Sequence, residues 1–333
     1  MVFVSGAGGS WACLLRLASM TEASHSGADQ PDLALTRGLQ SEPPSDPNGW
    51  FERARHLIAA GEVTMARDAT AEALLLLATV DSSSVRRAAS ALRRGRLPEA
   101  QLFAEDMLRS TPHSPLMLRI AAEIAFRRNE DATAEAHLEQ CLALDPEFPG
   151  ARFALALVQY RRGAMLASRA SIELALSSRA DDPACRTLLA SVLTRLNELD
   201  AAADCYERLG ADYPRNASLW TLYGHVLKSR GEQAAAVAAY RRAIALKPGH
   251  GETWWSLANL KTLRFDAADA QAMERALDES AASDEDRVHF HFALGKAYED
   301  LGRYAESFTH YAAGNALRLT QIDYASDSST INL

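Results

Sequence analysis

Small residues return in this chain every 34 residues, and this period constrains the fold more than any other feature. Two positions, twelve residues apart, carry Ala, Gly or Ser in each period. The first reads Ala54, Ala88, Ala122, Ala156, Ala190, Gly224 and Ala258, and the second reads Ala66, Ala100, Ala134, Ser168, Ala202, Ala236 and Ala270. Such a period indicates a stack of supersecondary units. Each unit is predicted to be a helical hairpin, because small side chains let two helices approach closely.

The unit from Ala217 to Pro248 carries the pattern most completely. With Ala217 as position 1, the bulky residues at positions 4, 7, 11 and 24 are Trp220, Tyr223, Leu227 and Tyr240. Gly231 at position 15 predicts the turn between the helices, and Pro248 predicts the end of the second helix. The unit resembles the tetratricopeptide repeat, a helix–turn–helix module.

The same register predicts seven consecutive units and an eighth after a three-residue slip. They begin at Pro47, Asp81, Pro115, Pro149, Pro183, Ala217, Gly251 and near Val288. The turn position reads Gly61, Gly95, Asn129, Gly163, Asn197 and Gly231. The resemblance implies an all-α fold, a right-handed superhelical α-solenoid of about eight units over residues 47–320. In the seventh unit Phe265 stands at the turn, so its second helix, from about Ala267 to Asp278, is expected to pack irregularly.

The ends of the chain do not follow the repeat. Residues 1–46 are rich in Ser, Asp, Gly and Pro and are expected to form a flexible lead-in, and residues 321–333 a tail. The apolar run from Trp11 to Leu17 is short and contains Arg16, which argues against a signal segment. Translation from Met1 and from Met20 both remain open.

Composition excludes several classes of function. The net charge of -8 argues against nucleic-acid binding, and no apolar run approaches the ~18 residues of a membrane span. The four cysteines form no C-x-x-C pair, which favours a reducing, cytoplasmic location, and Cys141 takes a buried position of the repeat. His289 and His291 point to nearly opposite sides of a helix and do not suggest a metal site. The sequence predicts no catalytic grouping and no cofactor.

The last repeats resemble a family of enzymes. Residues 253–262 read TWWSLANLKT, and residues 289–318 read HFHFALGKAYEDLGRYAESFTHYAAGNALR, followed by QIDY at 321–324. This stretch is similar to the last repeat and linker of bacterial tetratricopeptide-repeat sulfotransferases, in which a P-loop-like domain transfers a sulfuryl group from an adenylyl-sulfate donor. The present sequence lacks the Gly-x-Pro-Arg-Ser-Gly loop that would hold the donor phosphates. The resemblance therefore implies the helical platform without the activity.

Candidate binding residues follow from the inner positions of the first helices, which are 2, 5, 9, 12 and 13. Position 13 carries Arg93, Arg127, Arg161 and Arg195, and other inner positions carry Arg119, His225, Lys228, Trp255, Asn259 and Lys296. The arginines would pair with carboxylates of an extended acidic peptide. Alternatively they complement the helix dipole, worth ~0.3 to 1 kcal/mol each. Trp255 either holds an apolar group of a partner or packs on the neighbouring first helix.

The favoured hypothesis is a non-catalytic scaffold that binds a protein or an extended peptide, with acidic peptides as candidates. The alternative is the substrate-recruiting part of a sulfotransferase whose catalytic domain is lost or encoded separately, and a nonfunctional remnant is a third reading. The sequence does not separate a natural short form from a fragment. Since no polar helix caps the last hairpin, its outer face near Phe308, Tyr311 and Leu317 is expected to be incompletely shielded and to permit self-association.

Overall fold

Helices make up the regular secondary structure of the described residues. The computed structural model describes residues 43–78, 83–260, 262–279 and 283–321, and these ranges contain no strand. Their helices are α1 (Pro47–Ala60), α2 (Val63–Leu77), α3 (Ser83–Arg93), α4 (Leu97–Ser110), α5 (Pro115–Arg127), α6 (Asp131–Leu144), α7 (Ala151–Arg161), α8 (Met165–Ser178), α9 (Pro183–Arg195), α10 (Leu199–Asp212), α11 (Ala217–Ser229), α12 (Gln233–Leu246), α13 (Gly251–Ala258), α14 (Ala267–Glu279), α15 (Asp284–Asp300) and α16 (Tyr304–Gln321). The all-α expectation is confirmed.

Two compact units divide the chain. The first extends to Asn216 and the second begins at Ala217. In the first unit, α1 to α10 pair consecutively into five hairpins, and in the second unit α11 pairs with α12 and α15 with α16. The first helices of these seven hairpins begin at Pro47, Ser83, Pro115, Ala151, Pro183, Ala217 and Asp284.

The turns between paired helices have a left-handed backbone at the position where the sequence pattern predicts a turn. The backbone angle φ is 85° at Gly61, 62° at Asn129 and 61° at Asn197. Positive φ also occurs at Gly95, Gly163, Gly231 and Gly302. Glycine adopts this conformation without steric strain, and asparagine tolerates it better than other side chains. These seven turn residues therefore end their first helices at a defined point.

Three of the first helices begin with a capping side chain followed by proline. The pairs are Asp46 and Pro47, Ser114 and Pro115, and Asp182 and Pro183. Each capping oxygen accepts a hydrogen bond from the backbone N–H three residues later, at 3.0, 3.4 and 3.0 Å. Proline is favoured at the first helical position, where its missing N–H would have no helical partner. Capping thus sets the start of these repeats.

The paired helices approach closely at the small residues. A Cβ atom added to Gly224 would lie 2.5 Å from Cε1 of Tyr240, and one added to Gly295 would lie 2.7 Å from Cδ1 of Tyr311. No carbon pair tolerates such distances, so both rings need glycine opposite them. On the other side of the hairpin contact, Ala236 is fully buried.

Serine replaces alanine at the second small position without loss of packing. The Ser168 hydroxyl donates a 2.7 Å hydrogen bond to the carbonyl of Ala156, and Ser307 donates a 2.8 Å bond to the carbonyl of Gly295. In both cases the acceptor is the residue at the first small position. The buried hydroxyl is therefore satisfied within its own hairpin.

The seventh repeat departs from the pattern. Its first helix, α13, has eight residues and packs mainly against α15 rather than against α14. Phe265, at the turn position, is buried, and its backbone N–H donates a 3.1 Å hydrogen bond to the Asp300 carboxylate. The expected irregular packing of the second helix is found because a buried aromatic residue stands where a left-handed turn would be.

No helix in the described ranges has the length and apolar character needed to cross a bilayer.

The hairpin contact predicts the effect of an enlarged side chain. Ala236→Leu should destabilise the protein by ~1 to 3 kcal/mol, because the fully buried site has no room for three more carbon atoms. Urea unfolding followed by circular dichroism measures this change. Ala235→Leu is the matched control, since Ala235 is exposed one residue earlier. An equal stability of the two variants would contradict the register.

Candidate functional site

The inner surface of the first unit is partly covered by the first hairpin of the same chain. Helix α1 packs against α9, the first helix of the fifth repeat, and α2 contacts α5 of the third repeat. Helices α5, α7 and α9 carry the inner positions that the repeat register assigns to a groove. Part of that groove is therefore occupied by the protein's own residues.

Polar contacts fix α1 at the far end of the first unit. Arg55 Nε lies 2.7 Å from Asp182 Oδ2, and their side chains are 12% and 5% exposed. His56 Nδ1 is hydrogen-bonded to the Tyr213 hydroxyl at 3.0 Å. The Asn216 side-chain amide donates to the carbonyl of Ala59. The Arg55–Asp182 and Asn216–Ala59 contacts are largely shielded from water, so losing one partner there would leave a buried polar group unsatisfied.

An aromatic ring adds an apolar contact to this closure. Phe51 on α1 is 4% exposed and lies against Gly150. A Cβ atom at Gly150 would approach the Phe51 ring to 3.0 Å, and Gly150 also has a φ of 73°. Glycine is therefore required here for both the backbone conformation and the close approach.

A buried charge cluster lies on α5 beneath the first hairpin. Arg119 Nη1 donates a 3.1 Å hydrogen bond to Glu123 Oε2, and Arg127 Nε donates a 3.0 Å bond to Glu123 Oε1. Arg127 also donates to the carbonyl of Arg67 on α2, at 3.0 Å. Burial raises the pKa of Glu123, but Arg127 and Arg119 outweigh it and hold the pKa at about 2. The Glu123 carboxylate is therefore ionised and accepts hydrogen bonds from two guanidinium groups.

The other arginines at position 13 differ in their surroundings. Arg161 donates to Asp131 and to the carbonyl of Phe126, and its guanidinium lies 3.8 Å from the Phe126 ring centroid. The pKa of Arg161 is lowered to about 10, mainly by burial and to a smaller extent by the nearby positive charge of Arg67. Arg93 pairs with Glu72 and is 45% exposed, and Arg195 lies over Tyr160 at 5.8 Å.

The partners that these arginines have within the chain affect how they could bind a peptide. Arg119, Arg127 and Arg161 are bound by carboxylates and carbonyl groups of the first unit itself. Their role toward a peptide stays a prediction, and a peptide would have to compete with those partners. The sequence pattern missed Glu123 and Arg55, although Arg and Glu four residues apart on one helix are a recognisable pair.

A cavity of about 100 Å³ remains between the first hairpin and the inner surface of the first unit. Its walls include Ala54 and Ile58 of α1, Phe126 of α5, and Leu157 of α7. Arg55, Arg67, Arg119 and Glu123 are the charged residues that line it. The cavity is thus mainly apolar, with more basic than acidic groups.

The inner face of the second unit carries the remaining candidates. We use this name for His225, Lys228, Trp255, Asn259, Phe292 and Lys296. Trp254 is 2% exposed, whereas Trp255 is half-buried, with its ring centroid 5.4 Å from that of Phe292. Trp255 therefore packs on the neighbouring first helix and still keeps part of its surface accessible. Asn259 is exposed, and Lys296 pairs with Asp300.

A buried carboxylate lies beside this inner face. Glu252 is 2% exposed, and its Oε1 lies 3.8 Å from His225 Nε2, an ion pair only when the imidazole is protonated. Tyr240 is hydrogen-bonded to His225 Nδ1 at 2.9 Å and so orients the ring. Burial raises the pKa of Glu252, but His225, His250 and His289 outweigh it and lower the pKa overall. The Glu252 carboxylate therefore helps to position His225 but is not itself exposed on the inner face of the second unit.

Cysteine and histidine show no reactive arrangement within the described ranges. No group of three or more His, Cys, Asp or Glu residues there is placed to hold a metal ion. Cys141 is fully buried, donates to the carbonyl of Pro115 and, because of burial, has a pKa raised to about 11. It is a packed thiol, as its repeat position predicts. Cys13 lies outside the described residues.

The Glu123 cluster predicts how stability depends on pH. Because the folded pKa is about 2, below the ordinary 4.5, the stabilisation is fully present above pH 4.5 and is lost as pH falls toward 2. The loss should be up to about 3 kcal/mol. Urea unfolding at several pH values should therefore show a weaker acid dependence for Glu123→Gln than for the wild type. Glu139→Gln, at an exposed position, is the control, and equal slopes for both variants would contradict the assignment.

Comparisons with known proteins identify the repeats. A tetratricopeptide-repeat family model matches residues 132–183 and 187–250. No curated protein matches the sequence. These two stretches are thus tetratricopeptide repeats, whereas the resemblance of the last repeats to sulfotransferases finds no support and stays a prediction.

Several solved structures are similar to this chain. The Cut9–Hcn1 hetero-tetramer of the APC/C is similar with a TM-score of 0.52 and 14% identity, over 84% of this chain and 62% of that chain. YrrB, described as a tetratricopeptide-repeat protein with an unusual peptide-binding site, has a TM-score of 0.42 and 16% identity, over 62% and 96%. MamA has a TM-score of 0.39 and 16% identity, over 63% and 95%. Of these three structures, the first supports the all-α repeat fold, and at 14% identity the similarity shows the fold alone.

Proposed function

We propose that this chain is a non-catalytic scaffold that binds an extended protein segment on the inner face of the second unit. The observation that carries the proposal is the partly accessible aromatic pair of Trp255 and Phe292, 5.4 Å apart, beside Asn259. A partly exposed aromatic side chain surrounded by polar groups is typical of binding anchors. The amide of Asn259 offers both a donor and an acceptor to a peptide backbone.

Basic residues on the same face favour a segment with carboxylates. Burial lowers the pKa of Lys228. A partly dehydrated ammonium group of this kind gains more from a carboxylate than an exposed one does. Lys296 already has a partner in Asp300, so a ligand carboxylate there would form a shared network. The favoured ligand therefore combines one apolar side chain with acidic neighbours.

The first unit is a weaker candidate for the same role. Its inner arginines are engaged by the chain's own groups, and α1 lies across α9. A peptide would have to displace these contacts before it could bind. Among the described residues of the second unit, the main helix contacts join the same or adjacent repeats, so a peptide there would not have to displace a hairpin.

A peptide array tests the proposal. The full chain should retain 12-residue peptides that place acidic residues around one aromatic or aliphatic residue. Trp255→Ala and Lys228→Glu should each reduce retention by about tenfold, the loss of one anchor or one charge-assisted contact. Lys247→Glu changes the charge equally at an exposed residue that closes α12 and should leave retention unchanged. Retention that is independent of peptide sequence, or equal losses in all three variants, would refute the proposal.

We also propose self-association through the outer face of α16. Tyr304, Phe308 and Leu319 are 71%, 75% and 69% exposed, and their spacing places them on one side of the helix. Sedimentation velocity should show a concentration-dependent dimer that Phe308→Ser weakens. Leu166→Ser, at a 73% exposed apolar site in the first unit, is the control. If the wild-type protein stays monomeric at about 100 μM, its dissociation constant is weaker than that of a typical specific interface, and the proposed contact is refuted.

A further inference from the structure

We infer that the cavity of the first unit binds a small organic anion with a compact apolar body, such as a branched short-chain carboxylate. This site is separate from the inner face of the second unit, and the inference does not depend on the proposed peptide binding. It follows from three observations: the walls of the cavity, the unpaired donors of two arginines that line it, and its charge.

The walls set the size and polarity of the ligand body. The cavity has a volume of about 100 Å³ and is lined by apolar side chains that include Ile58, Phe126, Leu157 and Leu188. Since an apolar cavity of about 150 Å³ accommodates the six carbon atoms of benzene, this volume suits an apolar body of about four carbon atoms, such as the isobutyl group of isovalerate, with the carboxylate at the arginine side chains of the wall. A branched aliphatic group of that size would replace empty space with van der Waals contacts.

Unpaired donors set the head group. Arg119 is 3% exposed and donates from Nη1 to Glu123, yet its Nε is buried without a hydrogen-bond partner. Arg55 Nη2 is likewise buried without a hydrogen-bond acceptor, although a Glu52 carboxylate oxygen lies 3.9 Å away. Both arginines line the cavity. A guanidinium has donors only, so what is missing must be an acceptor.

The charge of the cavity favours an ionised acceptor over a neutral one. Glu123 is shared by Arg119 and Arg127, while Arg55 pairs with Asp182. Arg67 also lines the cavity, and burial together with the nearby Arg127 lowers its pKa. An added carboxylate would reduce the repulsion among these partly dehydrated guanidinium groups. A neutral ligand of the same shape would not.

The first hairpin determines which ligands fit. Ala54 and Ile58 of α1 and Ala66 and Arg67 of α2 form part of the cavity wall, so the ligand would lie beneath the hairpin. Those walls restrict the cavity to a small molecule rather than an extended peptide. A bound anion would therefore stabilise the packing of α1 against α9.

Calorimetric titration of the full chain tests the inference with three probes. Isovalerate supplies the branched body and the carboxylate, isovaleramide the same shape without charge, and sulfate an anion without an apolar body. Isovalerate should bind at least about tenfold more tightly than isovaleramide, and sulfate should not bind. Equal affinities for the first two probes, or no binding of isovalerate at about 10 mM, would overturn the inference.

Variants locate the binding within the cavity. Ala154→Leu fills the cavity and should abolish isovalerate binding while the helical circular dichroism spectrum is retained. Ala136→Leu, at an exposed position of the same unit, and Trp255→Ala in the second unit should bind isovalerate like the wild type. Arg119→Gln should weaken isovalerate by about tenfold and isovaleramide by less than threefold. Undiminished isovalerate binding by Ala154→Leu would place the anion elsewhere and overturn the inference, even if Arg119→Gln fails to fold.

Discussion

Close contact between two helices at a pair of small residues is the constraint on which the rest of each hairpin depends. Gly224 and Gly295 leave room for the rings of Tyr240 and Tyr311, and Ala236 is fully buried in the same kind of contact. A left-handed turn residue at the end of the first helix returns the chain so that the second helix can make this contact. The first helices then present their remaining side chains as an inner surface.

The two units use that inner surface differently. In the first unit, α1 covers it and brings Arg55 against Asp182, so charges that would face water are buried and paired. Buried pairs of this kind specify an arrangement more reliably than they stabilise it, because desolvation offsets much of their attraction. In the second unit, Trp255 and Asn259 keep accessible surface beside the buried Glu252. The same repeat pattern thus produces an inner surface that is largely covered in the first unit and one that is accessible in the second unit.

Sequence reasoning reached the hairpins because their determinants are local. The turn residues Gly61 and Asn129 and the capping residues Asp46 and Ser114 act within a few positions of themselves. The closure of the first unit was not predicted, because it joins residues from distant repeats. Nothing in the period distinguishes α1 from other first helices. For the same reason the burial of Arg119 and its bond to Glu123 were not foreseen, because neither follows from the position of Arg119 in the repeat.

The contact of α1 with α9 changes how the first unit can fold and unfold. In an ordinary repeat array each module touches only its neighbours, so the end modules can fray independently and stability propagates in one dimension. Here His56 and Tyr213, 157 positions apart, are hydrogen-bonded, and the unit forms a closed loop. Such closure raises the contact order, slows assembly and suppresses fraying from the N-terminal side. The first five repeats should therefore behave as one cooperative block rather than as a chain of separable modules.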